Sequence, residues 1–270
     1  MDSNNNEIMH DFPPFFKVFR DGSIERYMPL HDPIPAGLDP TTGVQSKDVV
    51  VSPETGAKAR IFIPKINGGG QKLPLFVHYH APEHRLPIAY DDSASALHWI
   101  SCHSNGQGPE AWLNEYADLN RVLLGGESAG ANIAHYVAVQ AGVTVPLGLN
   151  IVGLVMVHPF YGGKERDEMY KFLSSTSSGC DDDPKLNPAA DPDLVKMPCG
   201  KVLVCVAEKD WLRDRGVSYH ETLENLKGEG FAELYETKGK DHCFHMFNPN
   251  PNIDKAGDLL LKIVDFVTQC

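Results

Sequence analysis

The segment Arg121–Gly125 (RVLLG) is an unbroken apolar run that passes without a linker into Gly126-Glu127-Ser128-Ala129-Gly130 and then into the helical pattern Ala129–Gln140. A short Val/Leu run bounded in this way reads as a strand buried on both faces, the kind found in parallel sheets covered by helices. Two glycines flanking a serine at the strand-to-helix turn allow a backbone too tight for side chains on either neighbour. The turn sets the Ser128 hydroxyl at a helix N-terminus, where free N–H groups and the helix dipole favour negative charge. A capping serine on a glycine-rich loop is the plain alternative. The strand and helix on either side favour instead the strained turn that exposes a nucleophile.

The rest of the chain repeats the same alternation. Lys17–Tyr27 predicts two short strands around an Asp-Gly turn, and Met28–Pro40 a Pro-rich surface connection. Val44–Val51 and Ala59–Ile63 predict strands joined at Pro53–Gly56, and Leu73–His80 (LPLFVHYH) a buried strand after the flexible glycines Gly68–Gly70. Asp91–Cys102 predicts a helix capped by Asp91 or Asp92, Ile151–His158 another buried strand, and Lys201–Ala207 a third. A helix over Val217–Lys227, a strand over Ala232–Thr237 and a helix over Ile253–Thr268 follow. In the last of these, Leu259, Leu260, Ile263, Val264 and Val267 recur at three- and four-residue spacing and predict one packed face. Such alternation defines an α/β class with a mostly parallel sheet and helices on both faces. Its chemistry belongs on loops at the C-terminal strand ends.

At those ends stand the partners a serine nucleophile needs, a base and an acid that orients it. After the strand KVLVCVA come Glu208, Asp210 and Asp214. Asp210 is the natural acid, with the other two as competitors on the same loop. After AELYET come His242 and His245, either of which is placed to act as base. The order serine, acid, histidine is that of α/β hydrolases. His78 and His80 share a strand face but lack a third ligand with metal-site spacing, so no metal is expected. Asp181–Asp183 reads as a solvated turn, and Gly68–Gly70 lacks the Lys-Ser/Thr of a phosphate loop. Serine chemistry of this kind needs no cofactor.

Charge and cysteine usage narrow the partners. With Asp+Glu 36 against Lys+Arg 24, the net charge of -12 lacks a nucleic-acid footprint and repels anionic membranes. Six cysteines without a CxxC pair, a polar MDSNNNEIMH start and no apolar run near membrane-spanning length predict a reduced, cytoplasmic protein. The remaining partner class is a small molecule. Nothing in the sequence fixes the oligomeric state.

Segments spread along nearly the whole chain resemble the plant carboxylesterase branch of the hormone-sensitive-lipase-like α/β hydrolases, related to gibberellin receptors and 2-hydroxyisoflavanone dehydratase. They include FKVFRDGSIERY, LPLFVHYH, APEHRLPIAYDDSASALHWI, GGESAGANIAH, HPFYGG, VLVCVAEKDWLRDRG and DHCFHMFNP. The resemblance implies Ser128 as nucleophile, Asp210 as acid and His242 as base, with His245 its neighbour. It also implies one α/β-hydrolase domain over 1–270, in which 1–45 and 162–198 supply cap-like segments. In one respect the chain departs from the pattern. The family follows the strand ending at His80 with a His-Gly-Gly-Gly element, a helix and a strand, whereas here His80 runs directly into Ala81-Pro82-Glu83-His84. The missing loop-helix-strand unit amounts to roughly 35 residues by usual element lengths. It carries oxyanion-binding N–H groups in the family. That leaves Ala129 as the donor on the elbow side, with Gly126 and His80 beside it.

The expectation is therefore a serine carboxylesterase-like hydrolase of small esters, acting through an acyl-enzyme and weakened by the missing loop. A lyase of the isoflavanone-dehydratase type is the first rival, and Ser rather than Thr at 128 favours hydrolysis over it. A catalytically inactive truncated isoform or small-molecule-binding protein is the second rival. Retention of His242 speaks against a receptor.

Overall fold

The computed structural model describes residues 7–27, 34–66, 70, 72–80, 85–144, 148–174, 176–246 and 254–270. Residues 8–26 form an antiparallel sheet of β1 (Ile8–Phe12), β2 (Phe16–Phe19) and β3 (Ile24–Arg26). The Asp-Gly turn between the last two is as predicted, while β1 adds a partner for β2 that the sequence reading did not assign. A two-stranded ribbon follows, β4 (Gln45–Ser52) with β5 (Ala57–Ile63). By internal contacts the chain divides into Met1–Asp48 with Arg60–Lys65, and Val49–Ala59 with Ile66–Cys270. Within the first unit, Arg60 holds the Asp48 carboxylate by two hydrogen bonds of 2.6 and 2.9 Å and donates to the Ile34 carbonyl at 2.6 Å.

The second unit holds the sheet that matters for function. β6 (Leu73–Tyr79), β7 (Ala117–Glu127), β8 (Ile151–Val157), β9 (Lys201–Ala207) and β10 (Ala232–Thr237) all run parallel, in the order β10-β9-β8-β7-β6. The helices between them are α1 (Ile88–Ser101), α2 (Ala111–Tyr116), α3 (Ala129–Val143), α4 (Glu168–Leu173) and α5 (Arg213–Lys227), and α6 (Asp254–Gln269) follows β10. Leu123, Val155, Val157, Leu203 and Cys205 form the core on one side of the sheet, closed by Leu259 and Phe266 of α6. Parallel strands need helices on both faces, so their side chains are apolar without alternation, as β8 and β9 display.

Several expectations need correction. β6 is an edge strand and not a buried one: Phe76 is 37% exposed and β7 is its only neighbour in the sheet among the described residues. β7 begins at Ala117 rather than Arg121, because Ala117 and Asp118 pair with Leu73 and Pro74 across a register shift. α1 starts after Pro87 with Asp91 in its first turn, so neither Asp91 nor Asp92 caps it; proline fits a helix start because its missing N–H would be unpaired there anyway. On α6, Leu259 and Phe266 are buried with Ile263 and Val267 packed beside them, whereas Leu260 and Val264 are exposed. The glycines 68 and 69, the junction residues Ala81–His84 and Ile253 lie outside the described residues.

The 162–198 segment is ordered by its own polar contacts. Asp167 caps α4 through the Tyr170 N–H at 2.8 Å. The Asp181–Asp183 turn is held by Asp183, which accepts from Ser177 Oγ and from the Lys185 N–H. Asn132 of α3 ties this segment to the sheet side. Its amide donates to the Phe160 and Lys185 carbonyls at 3.0 and 2.6 Å, and its oxygen accepts from Tyr90 at 2.6 Å. No helix among the described residues is long and apolar enough to cross a membrane.

Candidate active site

Ser128 sits between β7 and α3 with φ 54° and ψ −117°, a backbone that a non-glycine residue adopts only when its surroundings impose it. Three main-chain hydrogen bonds impose it here. The Ser128 N–H donates to the Val157 carbonyl at 2.9 Å, and its carbonyl accepts from Phe160 and Asn132 at 3.1 and 3.2 Å. The flanking glycines are required by space. A Cβ on Gly126 would stand 2.4 Å from the Tyr79 carbonyl oxygen, and one on Gly130 would stand 2.1 Å from the same atom and 3.0 Å from His80 Cα. His80, at the end of β6, thus lies directly over the turn. Ala129 is the first residue of α3, so helix geometry leaves its N–H without an intrahelical acceptor.

The loops after β9 and β10 bring the other two residues to the serine. His242 Nε2 lies 3.0 Å from Ser128 Oγ, and His242 Nδ1 lies 2.8 Å from Asp210 Oδ2. The Asp210 side chain is 1% exposed, and its second oxygen accepts the Leu212 N–H at 2.8 Å. Its competitors point elsewhere. Asp214 is an exposed partner of Arg213, and Glu208 accepts the Gly239 N–H. A serine, an imidazole and a buried carboxylate in this linear order can pass a proton from the hydroxyl to the ring, with the carboxylate fixing the tautomer. Trp211 and Phe160 flank the opening, with the Trp211 ring 6.1 Å from both His242 and Phe160. An open depression of about 440 Å³ lies behind the acid, lined by Glu208, Asp210, Trp211, Arg213, Asp214, Glu236 and Lys238. Its charged walls do not suit an acyl chain.

Two further groups complete the site, and the sequence reading gave neither a role. His158 follows β8 with φ 47°, fully buried, and its Nδ1 accepts the Cys243 N–H at 2.8 Å. Burial pushes its imidazole down to about 4, so the ring is neutral and works as an anchor for the loop that carries His242. Glu127, the residue before the serine, faces two histidines from distant parts of the chain: His78 Nε2 of β6 at 2.5 Å and His245 Nε2 at 3.6 Å. Burial would raise this carboxyl, but the two imidazoles beside it, His245 at 3.6 Å and His78 in hydrogen-bond contact, outweigh it and hold it down at about 2. The Glu127–His78 pair fastens the edge strand to the turn. His245, the competing base, is thereby engaged away from Ser128. The only signal for either group was position, a histidine closing an apolar strand at 158 and an acid inside the Gly-x-Ser-x-Gly turn.

A parallel sheet with a serine turn after β7, an acid after β9 and a histidine after β10 is the arrangement of α/β hydrolases. The sequence profile of the alpha/beta hydrolase fold matches residues 73–246. "Probable carboxylesterase 5" of Arabidopsis thaliana is 36% identical over 318 aligned positions, covering 97% of this chain and 99% of the relative. "2-hydroxyisoflavanone dehydratase" of Glycyrrhiza echinata is 34% identical, with 98% of each chain covered. The chain belongs to the α/β-hydrolase family that contains the plant carboxylesterases and 2-hydroxyisoflavanone dehydratase. Among solved structures, an esterase of Pyrobaculum calidifontis shares the fold with a TM-score of 0.66 at 19% identity, over 83% of this chain and 85% of that one. A carboxyl esterase of Tuber melanosporum does so with a TM-score of 0.67 at 16% identity, over 86% and 89%. The alignment with the Arabidopsis relative is longer than this 270-residue chain although both are covered almost completely. The relative therefore carries internal segments that have no counterpart here, in keeping with the short connection after His80.

Proposed function

We propose that this protein is a serine carboxylesterase acting on small esters, with Ser128 as nucleophile, His242 as base and Asp210 as the acid that orients it. The observation that carries this reading is the unbroken hydrogen-bonded line from Asp210 through His242 to Ser128, with the serine on a strained turn. Ser128 Oγ attacks the ester carbonyl as His242 Nε2 takes its proton. The oxyanion meets the Ala129 N–H. His242 returns the proton to the departing alcohol, and water then releases the acid by the same route. Gly126 and His80 shape the turn from either side. The family's second set of oxyanion donors belongs to the loop this chain lacks, and one missing donor lowers rate by ~10²–10³. Turnover is therefore slow while acylation remains open to reactive substrates.

Similarity to carboxylesterases supports hydrolysis. The dehydratase reading rests on the equally extensive similarity to the Glycyrrhiza relative, and Ser rather than Thr at position 128 is what favours hydrolysis over it. The acidic surface and the free cysteines support a cytoplasmic protein with a small-molecule partner, away from nucleic acids and membranes. A fluorophosphonate probe tests the proposal. Wild type should be labelled and Ser128→Ala should not. Absence of labelling in both would overturn it and leave the inactive or binding-protein reading. Turnover of short-chain nitrophenyl esters, set against elimination of water from a 2-hydroxyisoflavanone, separates esterase from dehydratase.

A further inference from the structure

His158, His242 and Cys243 stand together beside Ser128, and one ring nitrogen from each histidine and the Cys243 sulfur all lie within 4.8 Å of one another. The proton relay uses only His242. Cys243 is 4% exposed and His158 is 1% exposed, so two of the three donors are enclosed, while His242 keeps 19% of its side chain open to solvent. His158 adds an independent sign. Its Nδ1 accepts the Cys243 N–H, whereas its Nε2, fully buried, has no hydrogen-bond partner among the described residues. Buried ring nitrogens are nearly always paired, and an unpaired one calls for an explanation. Two imidazoles and a thiol form the His₂Cys donor set that suits zinc and is poorly matched to magnesium or calcium.

We propose that His158, His242 and Cys243 form an inhibitory site for zinc(II), in which the metal takes the catalytic imidazole out of the relay. The inference rests on the esterase reading for its effect on activity, but not for the binding itself. On binding, a lone pair from each histidine and one from sulfur coordinate the ion, and the Cys243 thiol proton passes to solvent. His158 gives up its bond from the Cys243 N–H, which occupies the Nδ1 lone pair and leaves the ring hydrogen on Nε2. A fourth position faces the open side of His242 and takes water. Donor atoms in a tetrahedral zinc site stand about 3.3–3.6 Å apart, from Zn–N and Zn–S bond lengths, so the cluster contracts by about 1 Å. His242 is the most exposed of the three and the one free to swing. Its two ring nitrogens are committed to Ser128 and Asp210. Whichever nitrogen turns to zinc, one of those bonds is lost and the serine loses its base. Neither nearby carboxylate belongs to the donor set: Asp210 is bonded to His242, and Glu127 is engaged by His78.

The test uses the full chain, freed of metal by a chelator and titrated with zinc chloride by calorimetry. In parallel, fluorophosphonate labelling is followed with and without zinc. Wild type should bind zinc at a site that Cys243→Ala weakens by about tenfold or more. His242→Ala should weaken the same site although it cannot label. Zinc should slow labelling of wild type, chelator should restore it, and Cys243→Ala should need correspondingly more zinc relative to its own rate. Equal zinc affinity in wild type and Cys243→Ala, or bound zinc that leaves wild-type labelling unchanged, overturns the proposal. If the metal-free protein does not label at all, the esterase reading fails by itself and calorimetry still decides whether the site exists.

Discussion

β8 and β6 are parallel strands of equal length in one sheet, yet they live in different surroundings. Every residue of β8 except Val152 is buried, flanked by β7 and β9. In β6 only Tyr79 is buried, and β7 is its single neighbour among the described residues. The difference falls along the line of function. Ser128, Asp210 and His242 are presented by β7, β9 and β10 and anchored through Val157 and His158 at the end of β8. In the proposed mechanism the oxyanion donors beyond Ala129 are those of the family's loop, which would follow β6 and has no counterpart after His80 in this sequence. A relay can therefore be assembled by one part of a sheet while the part that stabilises charge is reduced. Nucleophile geometry depends on local turns, whereas the oxyanion pocket depends on an additional connection.

That division can be broken experimentally. The largest effect is expected from Ser128→Ala, which should lower ester hydrolysis by on the order of 10⁴ or more and abolish probe labelling. Residual turnover in that variant equal to wild type would place the chemistry elsewhere. Asp210→Asn should cost about 10⁴ in kcat with the fold intact by circular dichroism, because the amide favours the wrong tautomer of His242. Inserting the family's glycine-rich loop, helix and strand between His80 and Ala81 works in the other direction and should raise kcat/KM by ~10²–10³. If the 270-residue form already matches the restored one, the missing loop is not what limits the reaction.

The smallest effect concerns the fastening of the edge. Glu127 ionises at about 2 in the folded protein against an ordinary 4.5, so its ionised form stabilises the fold. That contribution is complete above about 4.5 and disappears as pH falls toward 2. Glu127→Gln should lower stability at pH 7 by about 1.5–3 kcal/mol, the range for hydrogen bonds to a charged group. The gap in denaturant midpoint between wild type and variant should close across that acid window. A gap independent of pH would mean that packing and not the charge holds β6 to the turn.

The parts of the molecule that were legible in the sequence are those where one local rule dominates. Unbroken Val/Leu runs marked β7, β8 and β9, and Gly126 and Gly130 marked the turn because a Cβ there meets the Tyr79 carbonyl. Asp210 and His242 were readable as residues just past strand ends. What escaped depends on contacts between distant residues. LPLFVHYH has the composition of a buried strand, and its edge position follows only from the sheet order, in which β7 is its one neighbour among the described residues. Glu127 acquires its partners from His78 and His245, 49 and 118 positions away, a pairing no local pattern announces. α2 is six residues long and held by the Glu110 side chain on the Trp112 N–H, too short for a periodic signal.

The close seat of Gly126 and Gly130 under Tyr79 has a consequence for how the outer strand breathes. At that end β6 is pinned by backbone lying where any side chain would collide, and the His78–Glu127 hydrogen bond adds a tether two residues from His80. Its other end has Pro74, which offers no amide hydrogen, and a slip in register between Pro74 and Leu75. Opening therefore proceeds like a zip from Leu73 toward Tyr79. Amide hydrogens near Leu75 exchange with solvent before those near Tyr79, and the roof over the serine is the last part of the strand to lift.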